Sequence, residues 1–464
     1  MRVELDKLVE VVHGQLIRDE RAEPDVISGV STDSRCVKAG DAFFALAGEN
    51  FDGHDFLQTA VTGGVQTVVV TRPVDVRGVA VVQVQDTLTA LGLLAKWWRL
   101  TQSAPVAAVV GSSGKTTTKE MAGEILARYF DTLTTKANLN NLIGLPQTLF
   151  GMQARHEAVV VELGMNVPDE NRQLMEIAQP DCVALTNINH AHIGMFESPQ
   201  AHYEAEAEPL RYAKPEALLI LNRDDTLSVR AWEEYGAGRQ VCWYSTEGAA
   251  DFYADGVTPL RPFGYEFTLR NKAGESADVT LKMFGRHNIS NAVASAAIAG
   301  FFGVSLENAA EQLSLFRPRY NRSEVEDIDG IFIIKDYYNA IPAAVVSALK
   351  SLDDFDGAGR RFAVLGDMME LGEHEKHFHE EVAEAAASAG LTKLFTIGDR
   401  GRIIYDRAAE LGVNVAHFDD VAALAAELKQ NIRRGDLLLI KGSRAIRLER
   451  LYDLLKQSDP MAAR

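Results

Sequence analysis

Seven consecutive residues near position 110 have the composition and order of a phosphate-binding loop. They lie between an apolar run at 106–110 and a helical pattern at 118–129, and they are Gly111, Ser112, Ser113, Gly114, Lys115, Thr116 and Thr117. A glycine-rich turn between a strand and a helix directs backbone N–H groups at an anion, and the helix N-terminus adds positive potential. In such a loop Lys115 reaches the terminal phosphates and Thr116 ligates Mg²⁺. An ordinary glycine-rich turn explains neither this order nor its flanks, so the loop predicts a nucleotide site.

Two further residues that could bind a metal follow apolar runs of the same region. Glu162 lies at the end of the run 158–163, and His192 comes shortly after the run 182–188. In a parallel sheet the carboxyl ends of the strands meet at one edge, where ligands bind. Alone, Glu162 could be a surface acid and His192 a histidine bonded to a backbone carbonyl. Beside a phosphate loop both are candidate ligands of Mg²⁺, which prefers oxygen.

Two polar turns near opposite ends of the chain could bind polar or anionic ligands. The first has the sequence Ser-Thr-Asp-Ser-Arg at 31–35, close to the end of a predicted strand. A ligand site and a solvated turn explain this turn equally well. The second has the sequence Lys-Gly-Ser-Arg at 441–444 and directly follows the last predicted strand. A turn of that composition could bind a carboxylate or a phosphate.

Composition limits the class of protein. The chain has 464 residues, enough for about three domains, and its net charge of −18 disfavours a general nucleic-acid or anionic-membrane binder. Its three cysteines are far apart, which suits a reducing cytoplasm and argues against a disulfide or zinc framework. No apolar signal core or membrane-spanning run is present. We expect a soluble cytoplasmic protein with no nucleic-acid partner and no membrane insertion, and with a frayed tail at 458–464.

Alternating strands and helices predict an α/β fold of three domains, at 1–103, 104–315 and 316–464. Near-continuous apolar strands in the central domain indicate a P-loop-type parallel sheet with helices on both faces. The N-terminal domain is predicted to be a smaller α/β unit, with strands at 29–35, 40–46, 67–71 and 79–84 and a helix at 88–100. The C-terminal domain is predicted to be Rossmann-like, with strands at 330–335, 361–365, 393–397 and 436–440 and helices at 343–352 and 375–389.

Together these motifs resemble the Mur ligase family, the ATP-dependent amide-forming enzymes of bacterial cell-wall precursor synthesis, over essentially the whole chain. The resemblance implies a UDP-substrate site at Ser31, Thr32, Asp33, Ser34, Arg35, Asp52, Gly53 and His54. Besides the loop 111–117, the implied ATP contacts are His287, Asn288, Asn291, Arg322, Asp336, Tyr338 and Asn339. The implied contacts of the peptide substrate are Asn138, Asn141, Lys441, Ser443 and Arg444.

The family resemblance also implies a mechanism. A substrate carboxylate attacks the γ-phosphate of ATP to give an acyl phosphate, and an incoming amine then displaces phosphate to form an amide. Lys115 and Mg²⁺ would supply positive charge to the transferring group. Thr116 and Glu162 would hold a first Mg²⁺, and Glu162 with His192 a second. Three domains around one cleft suit a closing motion that excludes water from the acyl phosphate.

The chain departs from the family where a carbamoylated lysine is usual, because it has Glu206 at that position. A glutamate keeps the charge and the ligand type of the modified lysine, although its reach is about 3–4 Å shorter. We therefore expect Glu206 to act as a catalytic ligand of the second metal. The alternative is that Glu206 is one more acid on a solvated helix face, beside a weak or absent metal site. The chain also departs from the family pattern at Ala137, Val167 and Ile341. These departures bear on the identity of the substrate more than on the type of reaction.

The implied reaction joins D-alanyl-D-alanine to UDP-N-acetylmuramoyl-tripeptide with ATP and Mg²⁺. It belongs to peptidoglycan synthesis, and through it to cell shape, the cell cycle and cell division, and the chain is expected to act as a monomer. Two alternatives stay open: a divergent ligase that adds another amino acid or peptide, and a non-catalytic paralogue that binds nucleotide or UDP-sugar. The intact loop with Glu162 and His192 favours a ligase, since drift without catalysis should not spare metal ligands.

Overall fold

The computed structural model of the protein describes residues 1–20, 26–48, 51–355 and 359–457. The tail at 458–464, for which the sequence predicts fraying, lies outside the described residues. Three larger sheets, of five, nine and six strands, follow one another along the chain. Among the described residues, no helix is both long and apolar enough to cross a bilayer.

The first sheet lies within the predicted N-terminal domain and has the strand order β2-β9-β8-β5-β4. Strands β4, β5, β8 and β9 are parallel, whereas β2 pairs antiparallel with β9. The elements are β1 (Val3–Glu4), α1 (Leu5–Val11), β2 (Gln15–Asp19), β3 (Val26–Ile27), β4 (Gly29–Ser31), β5 (Asp41–Phe44), β6 (Ala47–Gly48), β7 (Phe51–Asp52), α2 (Leu57–Thr62), β8 (Thr67–Val70), β9 (Ala80–Gln83) and α3 (Thr87–Leu100). The four predicted strands and the closing helix are therefore confirmed, with shorter strands at 29–31 and 41–44.

The second sheet contains the phosphate loop and has the strand order β11-β12-β10-β13-β14-β15-β16-β17-β18. Its elements are β10 (Val106–Val110), α4 (Lys115–Ala127), β11 (Thr132–Thr134), α5 (Gly144–Phe150), β12 (Ala158–Glu162), α6 (Glu170–Ala178), β13 (Cys182–Leu185), α7 (Pro199–Tyr212), β14 (Leu218–Asn222), α8 (Thr226–Tyr235), β15 (Val241–Ser245), β16 (Phe252–Pro259), β17 (Tyr265–Asn271), β18 (Ser276–Leu281), α9 (His287–Phe301) and α10 (Leu306–Leu315). Helix α4 begins at Lys115, three residues before the predicted start, so Thr116 and Thr117 lie in its first turn.

Burial on both faces explains the continuous apolar sequence of β10. Ala107 and Val109 belong to the core under α4 and α9, while Val106, Ala108 and Val110 belong to the core under α3, α5 and α6. A strand covered by helices on both sides has no solvated face, so every side chain is apolar. The predicted parallel sheet with helices on both faces is confirmed for β11 to β16.

Strands β16, β17 and β18 extend the same sheet as antiparallel hairpins, which the sequence analysis did not predict. In β17 the side chains of Tyr265, Phe267 and Leu269 are buried, whereas that of Glu266 is exposed. One face of this strand packs on the core and the other is solvated, so its sequence alternates. The prediction relied on continuous apolar runs and therefore missed these strands.

The third sheet lies within the predicted C-terminal domain and has the order β19-β20-β24-β21-β22-β23, parallel except for β19. Its elements are β19 (Glu324–Ile328), β20 (Ile331–Asp336), α11 (Pro342–Ser351), β21 (Arg361–Gly366), α12 (Glu375–Ser388), β22 (Lys393–Ile397), α13 (Gly401–Glu410), β23 (Val415–Phe418), α14 (Val421–Asn431), β24 (Leu437–Lys441) and α15 (Glu449–Lys456). The four predicted strands and both predicted helices are present, while β19 and β23 were not predicted.

Candidate active site

The phosphate loop turns between β10 and α4 on two glycines with positive φ. Gly111 has φ 116° and Gly114 has φ 79°, a region that L side chains rarely adopt. A Cβ at Gly111 would lie 2.5 Å from the Thr186 hydroxyl, and one at Gly114 would lie 2.3 Å from Asn291 Oδ1. The Lys115 ammonium donates to the carbonyls of Gly111 and Ser112, so it lies over its own loop. Only glycine fits at both turns, so the two glycines set the path of the loop between β10 and α4.

Glu162 lies at the end of β12 beside the first turn of α4. Its Oε1 accepts hydrogen bonds from Thr116 Oγ1 at 3.1 Å and from Asn140 Nδ2 at 2.8 Å. Its Oε2 is buried and has no hydrogen-bond partner among the described residues. A buried carboxylate oxygen without a donor is costly unless a cation neutralises it. The pair of Thr116 and Glu162 therefore fits a hard divalent cation such as Mg²⁺, which takes one or two carboxylates and keeps several waters.

Glu206 lies on α7 and faces the phosphate loop. Its Oε1 accepts a 2.6 Å hydrogen bond from Ser112 Oγ, and its side chain is buried, whereas Glu204 on the same helix is exposed. Burial raises the pKa of Glu206 to about 6, against the positive charge of Lys115, which lowers it. A solvated helix face therefore does not describe Glu206.

His192 lies in the loop after β13, where its φ is 58°. Its Nδ1 donates to Glu370 Oε2, which belongs to the segment after β21. Burial and the charge of Lys115 lower the pKa of His192, and Glu370 opposes them. Within the described ranges no three His, Cys, Asp or Glu side chains form a cluster that could hold a metal. Thr116 and Glu162 contact each other directly, whereas Glu206 contacts Ser112 and His192 contacts Glu370.

A cavity of about 380 Å³ opens beside the phosphate loop. It brings together most of the residues expected to bind ATP, namely Ser112, Ser113, Gly114, Thr117, His287, Asn288, Asn291, Arg322, Asp336, Tyr338 and Asn339. Burial lowers the pKa of His287 to about 4, so its imidazole is neutral at pH 7. Lys441, expected at the peptide substrate, also lines this cavity, where it pairs with Asp336 at 2.5 Å.

The same cavity contains residues that the sequence analysis missed. They follow β13, β14 and β15 or end them, and they are Asn187, Asn189, Asn222, Asp224 and Thr246. Asn187 Oδ1 accepts from Ser113 N at 3.2 Å, and Asn189 N donates to Ser112 Oγ at 2.8 Å, so both hold the phosphate loop. Their position at the carboxyl ends of neighbouring parallel strands is a signal that could have identified them.

A second cavity, of about 400 Å³, shares Arg322 and Tyr338 with the first. Thr116, Asn138 and Arg444 also line it. The guanidinium groups of Arg322 and Arg444 lie 4.1 Å and 5.3 Å from the centre of the Tyr338 ring. Two cations beside one aromatic ring offer a site for an anionic group next to the phosphate loop.

Two of the residues expected at the peptide substrate have local structural partners. Asn141 Oδ1 accepts from Gly144 N at 2.9 Å and from Ile143 N, at the start of α5. Ser443 Oγ caps the short 3₁₀ turn Arg444–Ile446. Both contacts explain these residue types without a substrate.

The residues expected to bind UDP lie at the carboxyl edge of the first sheet. The segment 31–35 begins at the last residue of β4, and in it Arg35 pairs with Asp33 at 2.7 Å and lowers the pKa of Asp33 to about 2. His54 accepts from Thr71 N, after β8, at 3.1 Å and donates to Asp52 at 2.6 Å. Since β4, β5 and β8 are parallel, both segments lie at the same edge.

Close packing and an interdomain contact account for two more residues of this set, Gly53 and Thr32. A Cβ at Gly53 would lie 2.8 Å from Leu46 N, so the backbone approaches too closely for another residue. Thr32 Oγ1 accepts from Gln147 Nε2 of the central domain at 3.1 Å. The edge of the first sheet thus contacts the central domain.

Three sequence profiles of one family match the chain. They are the Mur ligase family catalytic domain at 26–99, the Mur ligase middle domain at 109–299 and the Mur ligase glutamate ligase domain at 321–444. UDP-N-acetylmuramoyl-tripeptide–D-alanyl-D-alanine ligase of Bacillus subtilis (strain 168) is 34% identical over 456 residues, covering 97% of this chain and 98% of the relative. The chain belongs to the Mur ligase family.

Another Mur ligase, the enzyme of the same name from Escherichia coli (strain K12), is 33% identical over 98% of this chain and 99% of its own. A crystal structure of MurF from Acinetobacter baumannii has a TM-score of 0.91 at 32% identity and covers 99% of both chains. MurF ligase from Thermotoga maritima, solved in complex with ADP, has a TM-score of 0.84 at 27% identity and covers 93% of this chain and 97% of its own. The matches to Mur ligases thus extend over all three sheets.

Proposed function

We propose that this chain is an ATP-dependent, ADP-forming ligase that joins D-alanyl-D-alanine to UDP-N-acetylmuramoyl-tripeptide in peptidoglycan precursor synthesis. One observation carries the proposal at the site: the cavity at the phosphate loop and the cavity lined by Arg444 share Arg322 and Tyr338. A nucleotide in the first and a substrate carboxylate in the second would meet next to Thr116. The full-length similarity to ligases of that name supports the choice of substrates.

The three predicted domains would divide the binding. Residues 1–103 would hold the UDP part at the loops 31–35 and 52–54, and residues 104–315 the phosphates of ATP. Residues 316–464 would supply Arg322, Asp336, Tyr338 and Asn339 to the nucleotide and Arg444 to the dipeptide. Such a division lets binding of all three substrates assemble one enclosed site.

The reaction would proceed in two steps that differ in the bond broken. First, an oxygen of the tripeptide carboxylate attacks the γ-phosphorus, and the bond to the β-phosphate oxygen breaks, which releases ADP. Second, the amine of the dipeptide attacks the acyl carbon, loses a proton and expels inorganic phosphate. Lys115 and the loop N–H groups would stabilise the charge that develops on the transferring phosphoryl group.

Mg²⁺ fits this site, and Thr116 and Glu162 would hold it. When bound, Mg²⁺ neutralises phosphate charge and polarises the transferring group. The orphaned Oε2 of Glu162 supports this assignment. Glu206 and His192 would complete a second metal position, with Glu206 in place of the family's modified lysine. We also propose a cytoplasmic location and a role in cell shape and division, because the precursor reaction serves wall synthesis.

Phosphate release measured with UDP-N-acetylmuramoyl-tripeptide and ATP tests the proposed function. We expect release to depend on D-alanyl-D-alanine and to be at least about a hundredfold slower with single amino acids, since an unfilled polar subsite discriminates strongly. Faster release with a single amino acid would assign the chain to a divergent ligase. No release with any amine, together with retained nucleotide binding, would assign it to a non-catalytic paralogue.

A further inference from the structure

His192 and Glu370 connect two domains at the phosphate loop. They are separated by 178 positions in the chain, and His192 Nδ1 donates to Glu370 Oε2. Both residues have left-handed backbone conformations, with φ of 58° and 64°. Such conformations cost a non-glycine residue energy and persist where surrounding contacts hold them. The contact therefore lies in two loops whose shapes are both held by their surroundings.

The backbones of the same two loops touch. Gly194 N donates to the Glu370 carbonyl at 2.9 Å. A Cβ built at Gly194 would lie 2.2 Å from Gly372 N, and one built at Gly372 would lie 2.7 Å from Gly194 Cα. No other residue type fits at either position without moving the loops apart. Backbone packing thus sets the position from which Glu370 reaches His192.

The hydrogen bond determines which ring nitrogen of His192 can bind a metal. Glu370 is a carboxylate and can only accept, so Nδ1 carries the proton. In the neutral imidazole Nε2 then has the free lone pair, and the bond to Glu370 fixes the ring orientation. Lys115 is the neighbouring cation on the side of the phosphate loop. Glu170 is a further acid near the ring.

We propose that Glu370 is a positioning residue that makes the second metal position depend on docking of the C-terminal domain. With the domain docked, Glu370 orients His192 so that Nε2 is available for a divalent cation beside the phosphate loop. With the domain undocked, the ring loses its acceptor and its fixed orientation, and the cation binds more weakly. This inference rests on the proposed role of His192 as a metal ligand.

Metal-dependent protection of the nucleotide complex provides a test that needs no peptide substrate. The melting temperature of the full chain is measured with saturating adenylyl imidodiphosphate while Mg²⁺ is titrated. Glu370→Ala should raise the half-maximal Mg²⁺ concentration about tenfold, as loss of a residue that orients a ligand commonly does. The matched control is Glu373→Ala, which removes an exposed acid from the adjoining turn Gly372–His374 and should change the midpoint less than twofold.

A double-mutant cycle separates positioning from a general charge effect. If Glu370 acts through His192, Glu370→Ala introduced into the His192→Ala variant should change the half-maximal Mg²⁺ concentration less than twofold. Glu370→Gln keeps an acceptor for Nδ1 and should recover most of the wild-type midpoint. If Glu370→Ala does not fold, Glu370→Lys provides the same measurement, with a shift of at least about tenfold expected.

Several results would overturn the inference. One is an unchanged Mg²⁺ midpoint in Glu370→Ala, and another is an equal shift in Glu373→Ala. Full additivity with His192→Ala would also overturn it, because Glu370 would then act independently of the ring. Failure of the ligase proposal would give a different result: the wild-type chain would show Mg²⁺-dependent nucleotide protection but would form no amide.

Discussion

The carboxylate of Glu206 accepts a 2.6 Å hydrogen bond from the hydroxyl of Ser112, a residue of the phosphate loop. An ionised, buried carboxylate this close to bound phosphates would repel them. Burial raises the pKa of this carboxyl to about 6, and the Lys115 ammonium opposes that rise. We propose that a divalent metal between Glu206 and the phosphates would offset this repulsion.

Glu206→Gln is therefore expected to raise the Mg²⁺ concentration for half-maximal activity and to lower kcat by about tenfold or more. Glu204→Gln changes an exposed acid on the same helix and should leave both values unchanged. Activity of the wild type should not depend on bicarbonate, because a glutamate needs no carbamoylation. Wild-type behaviour of Glu206→Gln across a Mg²⁺ titration would show that Glu206 is not a ligand.

Lys115→Ala should lower kcat by ~10²-fold or more, because it removes a positive charge from the transferring phosphoryl group. Among the residues that the structure describes, the Lys115 ammonium donates only to the carbonyls of Gly111 and Ser112 in its own loop. The fold should therefore persist. Circular dichroism and the melting temperature check the fold, with Lys376→Ala on α12 as an exposed control. More than about a hundredth of the wild-type rate would contradict the role of Lys115.

The parts of the site that lie close together in the chain could be predicted from the sequence. The loop 111–117 and its flanking strand and helix follow from a local pattern of glycines and apolar residues. Glu162 was identified because strand ends in a parallel sheet share one edge. Each of these inferences needs only the secondary structure and the general geometry of α/β sheets.

The contacts between distant segments could not be predicted. His192 and Glu370 meet only after two domains pack, and the pairing of Lys441 with Asp336 depends on the order of β24 and β20. The burial of Glu206 depends on how α7 is rotated against the sheet, which an acidic run at 204, 206 and 208 leaves open. Strand β17 did carry a signal in the sequence, because the apolar residues Tyr265, Phe267 and Leu269 alternate along it. A search for continuous apolar runs does not detect such alternation.

Arg35→Ala should raise the KM for the UDP substrate and leave kcat nearly unchanged, since it removes binding that is equal in the ground and transition states. The guanidinium is mostly exposed and pairs with Asp33 at the carboxyl edge of the first sheet. Arg77→Ala changes an exposed arginine before β9, at the opposite edge, and should have no effect. A change in the KM for ATP alone would show that the loop 31–35 binds another ligand.

His202 should make the protein less stable in acid. It is buried on α7 and bonded to the Ala191 carbonyl at 2.6 Å, and burial lowers its pKa from 6.5 to about 4. Between pH 6.5 and 4 the unfolded chain binds a proton there that the folded chain does not. The free energy of unfolding therefore falls with falling pH, by up to ~1.4 kcal/mol per pH unit from this group.

Urea unfolding at pH 7 and pH 5 measures that dependence. His202→Gln can still donate to the Ala191 carbonyl but does not titrate, so it should lose less stability between the two pH values than the wild type. His377→Gln replaces an exposed histidine on α12 and should lose as much as the wild type. An equal loss in His202→Gln and the wild type would contradict the assignment.

Transfer of ¹⁸O from the tripeptide carboxylate to phosphate tests the proposed reaction most directly. The wild-type chain is given ATP, Mg²⁺, D-alanyl-D-alanine and UDP-N-acetylmuramoyl-tripeptide labelled at its terminal carboxylate, and product and phosphate are analysed by mass spectrometry. An acyl phosphate leaves one carboxylate oxygen on the phosphoryl group, so we predict one ¹⁸O in phosphate for each amide formed. Amide formation with unlabelled phosphate, or labelled phosphate without amide, would contradict the account.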